Sequence, residues 1–464
     1  MSCGILCNDV HSRLNPVRVA RIARPQSTAE ASLLVQEAAT AGMPVSICGA
    51  RHAMGGQQFG EDTLLLDCRS LTAVGEIDRD RGLVEAGAGI IWPDLIAALH
   101  AVQQGLDPLW TIRQKQTGAD DLTLGGALAA NIHGRGLRMA PIISDVEAFT
   151  LVDTSGQILR CSRVENAELF RHAIGGYGCF GIITSVQLRL TPRCTVERCV
   201  EITTIDLLIP ALEERIADAA LYGDFQFSID ECSPDFLRRG VLATYHPVAN
   251  EDHPPARELS AADWEELIHL AHTDRAKVFE VYSGHYLASH GSRYGSDTHQ
   301  LGVYLEDYHC GLDAKLDSPP ATEMISELYV PREYLVTFMA RAADLLRPSG
   351  IPVIYGTVRL IERDTESALP WARQDFACVI FNLHTEHHEQ GIARSAAAFQ
   401  SLIDLALSLG GSYFLTYHRW ATRGQLLQAY PGFPDFLRAK DRYDPESRFQ
   451  SQWWRHHRDL FSAP

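Results

Sequence analysis

Val45–Asp67 reads VSICGARHAMGGQQFGEDTLLLD. An apolar run, Val45 to Cys48, enters a loop of small residues (Gly49, Ala50, Gly55, Gly56) that carries one histidine, His52. A second apolar run, Thr63 to Leu66, leaves it. Small residues let the main chain approach a ligand closely, and successive unspent N–H groups form a concave anion site. A loop that cradles phosphates beside an imidazole points to a bound dinucleotide on which the histidine acts.

Working outward, residues from Arg18 to Leu190 alternate helical and strand-like patterns. Ser27 with Glu30 reads as a capping box, helical spacing follows through Ala38, and Gly42 is the stop signal. GLVEAGAGI reads as a strand. Pro93 and Asp94 open a helix, PDLIAALHAVQQ, that Gly105 stops. Two more glycine-rich stretches follow: Thr123–Gly136, TLGGALAANIHGRG, and Gly175–Thr184, GGYGCFGIIT, the second leading into strand-like SVQLRLTP. The acid-rich segment between them, Asp145–Thr154, reads as a connector. Beyond Pro192 charge and aromatics increase. Residues 249–266, ANEDHPPARELSAADWEE, read as an exposed insertion, and Met324–Glu333 opens a helix near Pro331. Val353–Ile361 and Ala377–Thr385 are strand-like, and a helix lies around Arg394–Leu409.

Composition narrows the class. A chain of 464 residues divides into two or more domains. A net charge of −17 argues against a general nucleic-acid binder. Eleven scattered cysteines without a CxxC pair fit reduced thiols better than a disulfide framework or a metal site. No apolar run reaches the length of a membrane span, and the N-terminus lacks the pattern of a secretory signal, so a cytoplasmic location is expected.

The three glycine-rich stretches, in this order and at these separations, resemble the flavin-contacting stretches of the vanillyl-alcohol-oxidase-like, PCMH-type FAD-linked oxidoreductases. Within that family the chain is similar to aldonolactone and alditol oxidases and to decaprenylphosphoryl-ribose oxidase. The tail Tyr443–Trp454, YDPESRFQSQWW, resembles the family's closing segment. The resemblance implies an α+β fold: a two-subdomain PCMH-type FAD-binding domain over residues 1–195, an α+β substrate (cap) domain over 196–414, and a segment, 415–464, that returns to the flavin domain. It places FAD against Cys48, Gly49, Ala50, Arg51, His52, Ala53, Met54 and Gln57 in the first stretch. Thr117, Thr123, Gly125, Gly126, Ala129, Asn131, His133, Gly134 and Gly136 follow in the second, and Gly178, Gly181, Ile182 and Ile183 in the third. In many members the loop histidine is bonded covalently to the flavin, which assigns that role to His52. Ala53 stands where the family's serine usually is, and no cysteine precedes the second stretch, so one covalent link at most is expected.

The same resemblance nominates the chemistry. Arg359 matches the arginine of a Glu-x-Arg motif whose acid is here Thr357; a fixed guanidinium suits the negative charge of a reduced flavin. The other reading of Arg359 is a surface residue on an alternating strand. Arg135 is basic where alditol oxidases carry a small polar residue. His133 is either a flavin neighbour or a hydrogen-bonded structural histidine. Asn382 and His384 share one strand face, either toward substrate or exposed at a strand end. His418 is the first choice for the base, since an imidazole takes a proton near neutrality; Tyr417 is second. Glu327 either orients a substrate hydroxyl or forms an ion pair within the cap.

The resemblance implies oxidation of a CH–OH group in a polyol, sugar or sugar lactone, with O2 or another acceptor regenerating the cofactor. The alternatives are a dehydrogenase serving a quinone or cytochrome, a nicotinamide-linked reductase, and a non-catalytic flavin-binding protein. Neither HExxH nor GxSxG is present, which argues against zinc or serine hydrolases.

Overall fold

The computed structural model describes residues 4–249, 259–302, 305 and 307–462. The expected exposed insertion falls partly on residues 250–258, outside the described residues. From Ala261 onward it is a helix, Ala261–Thr273, started by a capping box between Ser260 and Asp263.

Two sheets of three or more strands build the first part of the chain. Val45–Cys48 and Arg21–Ala23 flank Leu64–Asp67 in a three-stranded parallel sheet. The Thr28–Thr40 helix, with Ser27 as N-cap, supplies the crossover that parallel neighbours require. Leu64–Asp67 is buried along its whole length, which explains its uninterrupted apolar reading. A five-stranded antiparallel sheet follows in the order Ile158–Ser162, Val146–Val152, Ile182–Arg189, Leu83–Gly87, Val74–Asp78. The segment read as an acid-rich connector is thus an inner strand of this sheet. Its apolar positions pack on the core, and the one acid within the strand Val146–Val152, Glu147, pairs with Arg81 and Arg189.

Eight strands between Arg293–Gly295 at one edge and Ser412–Tyr413 at the other form the third large sheet. Its centre pairs Tyr222–Phe227 with Val353–Ile361, then Phe376–Glu386, then Ala321–Pro331. Met324–Glu333 is therefore mostly strand. The helix expected at Pro331 begins at Leu335, because a continuous apolar pairing partner holds the chain extended through Pro331. One face of this sheet is closed by the helices Leu335–Leu346 and Glu389–Ser408, which bury Phe338, Met339, Phe399 and Leu402 completely. Each such side chain contributes roughly 2 kcal/mol of apolar burial.

The opposite face is polar, and register shows it to be one surface. Glu323 pairs with His384, Ile325 with Asn382 and Glu327 with Ile380. Asn382 pairs in turn with Tyr355, and Gln226 with Thr357. Directly opposed residues share a face, so Asp224, Gln226, Tyr355, Arg359, Asn382, Glu323 and Glu327 look the same way. They line a cavity of about 690 Å³.

The tail closes the structure. Arg448 and Gln450 hydrogen-bond the main chain of Val45 from outside the parallel sheet, and Phe449 is buried in its core. Lys440, completely buried, holds Asp444 and the Phe449 carbonyl and fixes this return. Among the described residues no helix is long and apolar enough to cross a membrane.

Candidate active site

The three glycine-rich stretches meet. Gly49, the first loop residue, lies so near Thr123 that a Cβ there would overlap the Thr123 hydroxyl. Thr123 is the N-cap of the Leu124–Ala130 helix and accepts from the Gly126 N–H. Gly125 abuts Ala88, an added Cβ coming within 2.9 Å. Tyr177 and Gly175 donate their N–H groups to Ala129 and Leu128, which lays the third stretch against the second. Gly181, at φ +145, could not take a Cβ without meeting the Val152 carbonyl at 2.6 Å. It leads into Ile182 and Ile183 on the adjoining strand.

The first loop suits the pyrophosphate of FAD. Arg51 adopts a left-handed conformation, φ 66, which turns successive amides toward one side. Among the described residues, no protein acceptor takes the N–H groups of Gly49, Ala50, Arg51 or Ala53. The Arg51 Nε is buried and likewise lacks a protein partner. By contrast the loop carbonyls are tied down: Arg51 by the Val10 N–H, Ala53 by Gln58 and Met54 by Asn15. The backbone is thus held rigid while its donors stay open to an anion. Burial, with His11 adding to it, lowers the His52 imidazole to about 4, so the ring is neutral at pH 7. Cys48 and Met54 are buried packing residues. Gln57 spends its side chain on the Gly55 N–H and the Thr416 carbonyl.

The second stretch continues to the cavity. Asn131 is left-handed at φ 50 and fully buried. Its side chain bridges Asp364 and the Ile143 N–H, so it positions the turn. Gly134 packs against the Lys115 carbonyl, which an added Cβ would meet at 2.6 Å. Arg135 and Gly136 then pair with the Tyr222–Gly223 main chain, which joins this stretch to the edge of the polar sheet face. Arg135 enters the cavity there, with Nη1 3.4 Å from the Tyr245 hydroxyl. Thr117 and Gly118 line the same cavity.

Glu327 is the centre of the site. It is 4% exposed and accepts from three N–H or O–H donors, His133 Nε2 at 2.9 Å, Tyr417 Oη at 2.6 Å and Tyr329 Oη at 2.8 Å, with the Cys378 thiol a more distant fourth at 3.8 Å. Burial would raise its carboxyl, but the adjacent His133 and the three hydrogen bonds more than offset that and hold it at about 2. The other nitrogen of His133 lies 2.9 Å from the Gly134 carbonyl, so both ring nitrogens face oxygen atoms. The His133–Glu327 contact links the second glycine-rich stretch to the cavity floor. Glu327, Tyr417, Arg359 and Asn382 all line that cavity, and the buried Arg359 Nε has no protein partner. Arg359 is 6% exposed, which removes the reading of a surface arginine. Thr357 donates to the Phe225 carbonyl and serves the sheet.

Two expected residues lie elsewhere. His418 is on the far side of the Ala321–Pro331 strand, bonded to Ser326 at 3.2 Å and packed in an aromatic group with Phe399 and Trp420. Burial lowers its imidazole to about 3. His418 therefore faces away from the cavity, whereas Tyr417 and Glu327, one residue over in each segment, face it. His384 leaves the Glu327 group and joins Glu323 with two other histidines. Asp224, Gln226, Arg198, Tyr355 and Glu323 also line the cavity and were missed in the sequence. The alternation of Tyr222–Phe227, an all-buried strand with Asp224 and Gln226 inside it, was the available signal.

A loop with open main-chain donors, two stretches packed against it and a cavity beside them are the arrangement a bound dinucleotide requires. Residues 19–162 match the FAD binding domain family, which makes this part of the chain an FAD-binding domain. Cytokinin dehydrogenase 2 of Arabidopsis thaliana is 31% identical over 170 residues, covering 36% of this chain and 32% of that protein. Cytokinin dehydrogenase 3 of Oryza sativa subsp. japonica is 33% identical over 177 residues, again 36% and 32%. The chain thus spans about a third of the length of these plant relatives. L-gulono-1,4-lactone dehydrogenase of Mycobacterium tuberculosis is 21% identical over 443 residues, 94% of this chain and 95% of that protein.

Proposed function

We propose that this protein oxidises a CH–OH group of a polyol, sugar or sugar lactone. The observation that carries the reading is the Glu327 group: an ionised buried carboxylate with a phenol at 2.6 Å, both on the wall of a cavity bordered by the flavin-side segment. Bound FAD supplies the hydride acceptor. Every other requirement falls to side chains of this chain. Asn382, Gln226 and Asp224 offer both donors and acceptors to a polyhydroxylated substrate. The Tyr417 hydroxyl takes the substrate proton as it passes its own to Glu327, so one proton enters the pair for each alcohol oxidised. Arg359 and Arg135 place fixed positive charge where the site gains negative charge, without changing protonation state. His52, neutral at pH 7, is the residue we assign to a covalent flavin link.

The electron acceptor divides two readings. Oxygen is the first. A quinone or cytochrome is the second, and the full-length similarity to a protein named a dehydrogenase favours it. Anaerobic mixing with a panel of alditols and aldonolactones should bleach the flavin with at least one of them. A panel that leaves it oxidised, while dithionite reduces it, would remove the CH–OH reading and leave a flavin-binding protein without this chemistry. Oxygen uptake with peroxide formation, compared with dye reduction, then separates the two acceptors.

A further inference from the structure

We propose that the cap holds a structural divalent transition-metal ion of the Zn²⁺ class between His272, His309, Glu323 and His384. Each of these residues directs one ligand atom to a common point, and the four atoms lie within 4.8 Å of one another. They come from four elements: the Ala261–Thr273 helix, the Tyr308–Leu316 helix and the strands Ala321–Pro331 and Phe376–Glu386. Three imidazoles and one carboxylate form a complete tetrahedral shell for Zn²⁺, and soft thiolates are absent from it.

Outward-facing contacts point the same way. His272 Nδ1 lies 2.8 Å from the Ile268 carbonyl, which can only accept, so that nitrogen carries the ring hydrogen. In the neutral ring Nε2 then aims a lone pair at Glu323 Oε1, 3.0 Å away. His309 is placed between two carboxylates, Asp313 at 3.1 Å on Nδ1 and Glu323 at 2.6 Å on Nε2. His384 Nδ1 stands 3.4 Å from Glu323 Oε1. These inner contacts are satisfied either by protons on the imidazoles or by one cation held between them. A metal ion satisfies the inner nitrogens at once and keeps both outer contacts, a carbonyl behind His272 and a carboxylate behind His309. That is the usual support of metal-bound histidine. Metal–ligand distances near 2.1 Å in a tetrahedron imply ligand separations of roughly 3.4 Å, so the His309–Glu323 contact, now 2.6 Å, lengthens by about 0.8 Å around the ion while the widest separations in the group close.

The ion would fasten two helices to the polar face of the sheet. Trp264, Leu267, Ile268 and Ala271 on the first helix form part of the cavity wall, as do His309 and Glu323 themselves. Glu323 and Glu327 are four residues apart on one strand, roughly 13 Å, so the ion sets the shape of the cavity away from the Glu327 group. This inference does not depend on the alcohol-oxidation reading.

The test uses full-length protein purified with its flavin. Elemental analysis after growth in zinc-supplemented medium should find roughly one ion per chain. Chelator-treated protein should bind ZnCl2 saturably by titration calorimetry and melt at a higher temperature once reloaded. His272→Gln and Glu323→Gln should each weaken zinc binding at least about 10-fold, with flavin absorbance and far-UV circular dichroism confirming folding. Should both variants misfold, the calorimetry and melting of chelator-treated wild type decide alone. Protein that contains no metal and takes up no zinc, with an unchanged melting temperature, overturns the proposal, as does undiminished zinc binding in both folded variants.

Discussion

Glu327→Gln is the substitution with the most readable consequence. The change keeps shape but removes the charge and turns one acceptor oxygen into a donor, opposite three donors that face it now. The carboxyl is held at about 2 against an ordinary 4.5, which corresponds to roughly 3 kcal/mol favouring the ionised form in the folded protein. Removing one partner of a buried ion pair costs about 3–5 kcal/mol, so the two routes agree. At about 2 °C per kcal/mol for a domain of this size, the melting temperature should fall by roughly 6 °C. The pH dependence has a definite sign. A depressed carboxyl stabilises fully above its unfolded value and loses that contribution as pH falls toward its folded value. The gap between wild type and Glu327→Gln should therefore be flat from pH 8 to pH 5 and close only below about 4.5. Melting curves of flavin-loaded protein across that range make the measurement. A shift under about 1 °C, or a gap that already closes between pH 8 and pH 6, would refute the picture of an ionised, triply bonded carboxylate.

Other substitutions address separate links. Gly49→Ala inserts a methyl group into the Thr123 hydroxyl and should lower flavin content per chain well below that of wild type; full occupancy would mean that the two stretches do not close on the cofactor. Arg359→Gln should slow flavin reduction by about 100-fold with flavin content unchanged, and an unaltered rate would remove Arg359 from the chemistry. His418→Phe preserves the stack on Phe399 and Trp420 and should leave the rate within about 3-fold, since a true base contributes about 10²-fold or more. A loss of that larger size would restore His418 as the base.

Much of this was legible because it rests on local rules. The loop from Gly49 to Met54 declared itself through residue size, and the Thr28–Thr40 helix through its cap at Ser27. Asn382 was placed correctly on a face by strand alternation alone. What failed depended on distant partners. Asp145–Thr154 looked like a connector because its acids stand at its ends, while five of its central residues are buried by strands far away in sequence. Met324–Glu333 stayed extended through pairing with Phe376–Glu386, which no local propensity encodes. Tyr417 and His418 are adjacent, and nothing in their composition tells which faces the cavity; the register of the Ala321–Pro331 strand decides it, through Glu327 on one face and Ser326 on the other. His272 and His309, on two different helices, join Glu323 and His384 only in the folded chain.

Acid precipitation of the purified protein, with the colour of pellet and supernatant read by absorbance, tests most directly the claim that the 49–54 loop carries FAD beside His52. Wild type should leave its yellow in the pellet, and His52→Ala should release it to the supernatant. Wild-type protein whose flavin stays in solution would contradict the tether, and a preparation that is colourless and takes up no added FAD would contradict the loop assignment itself.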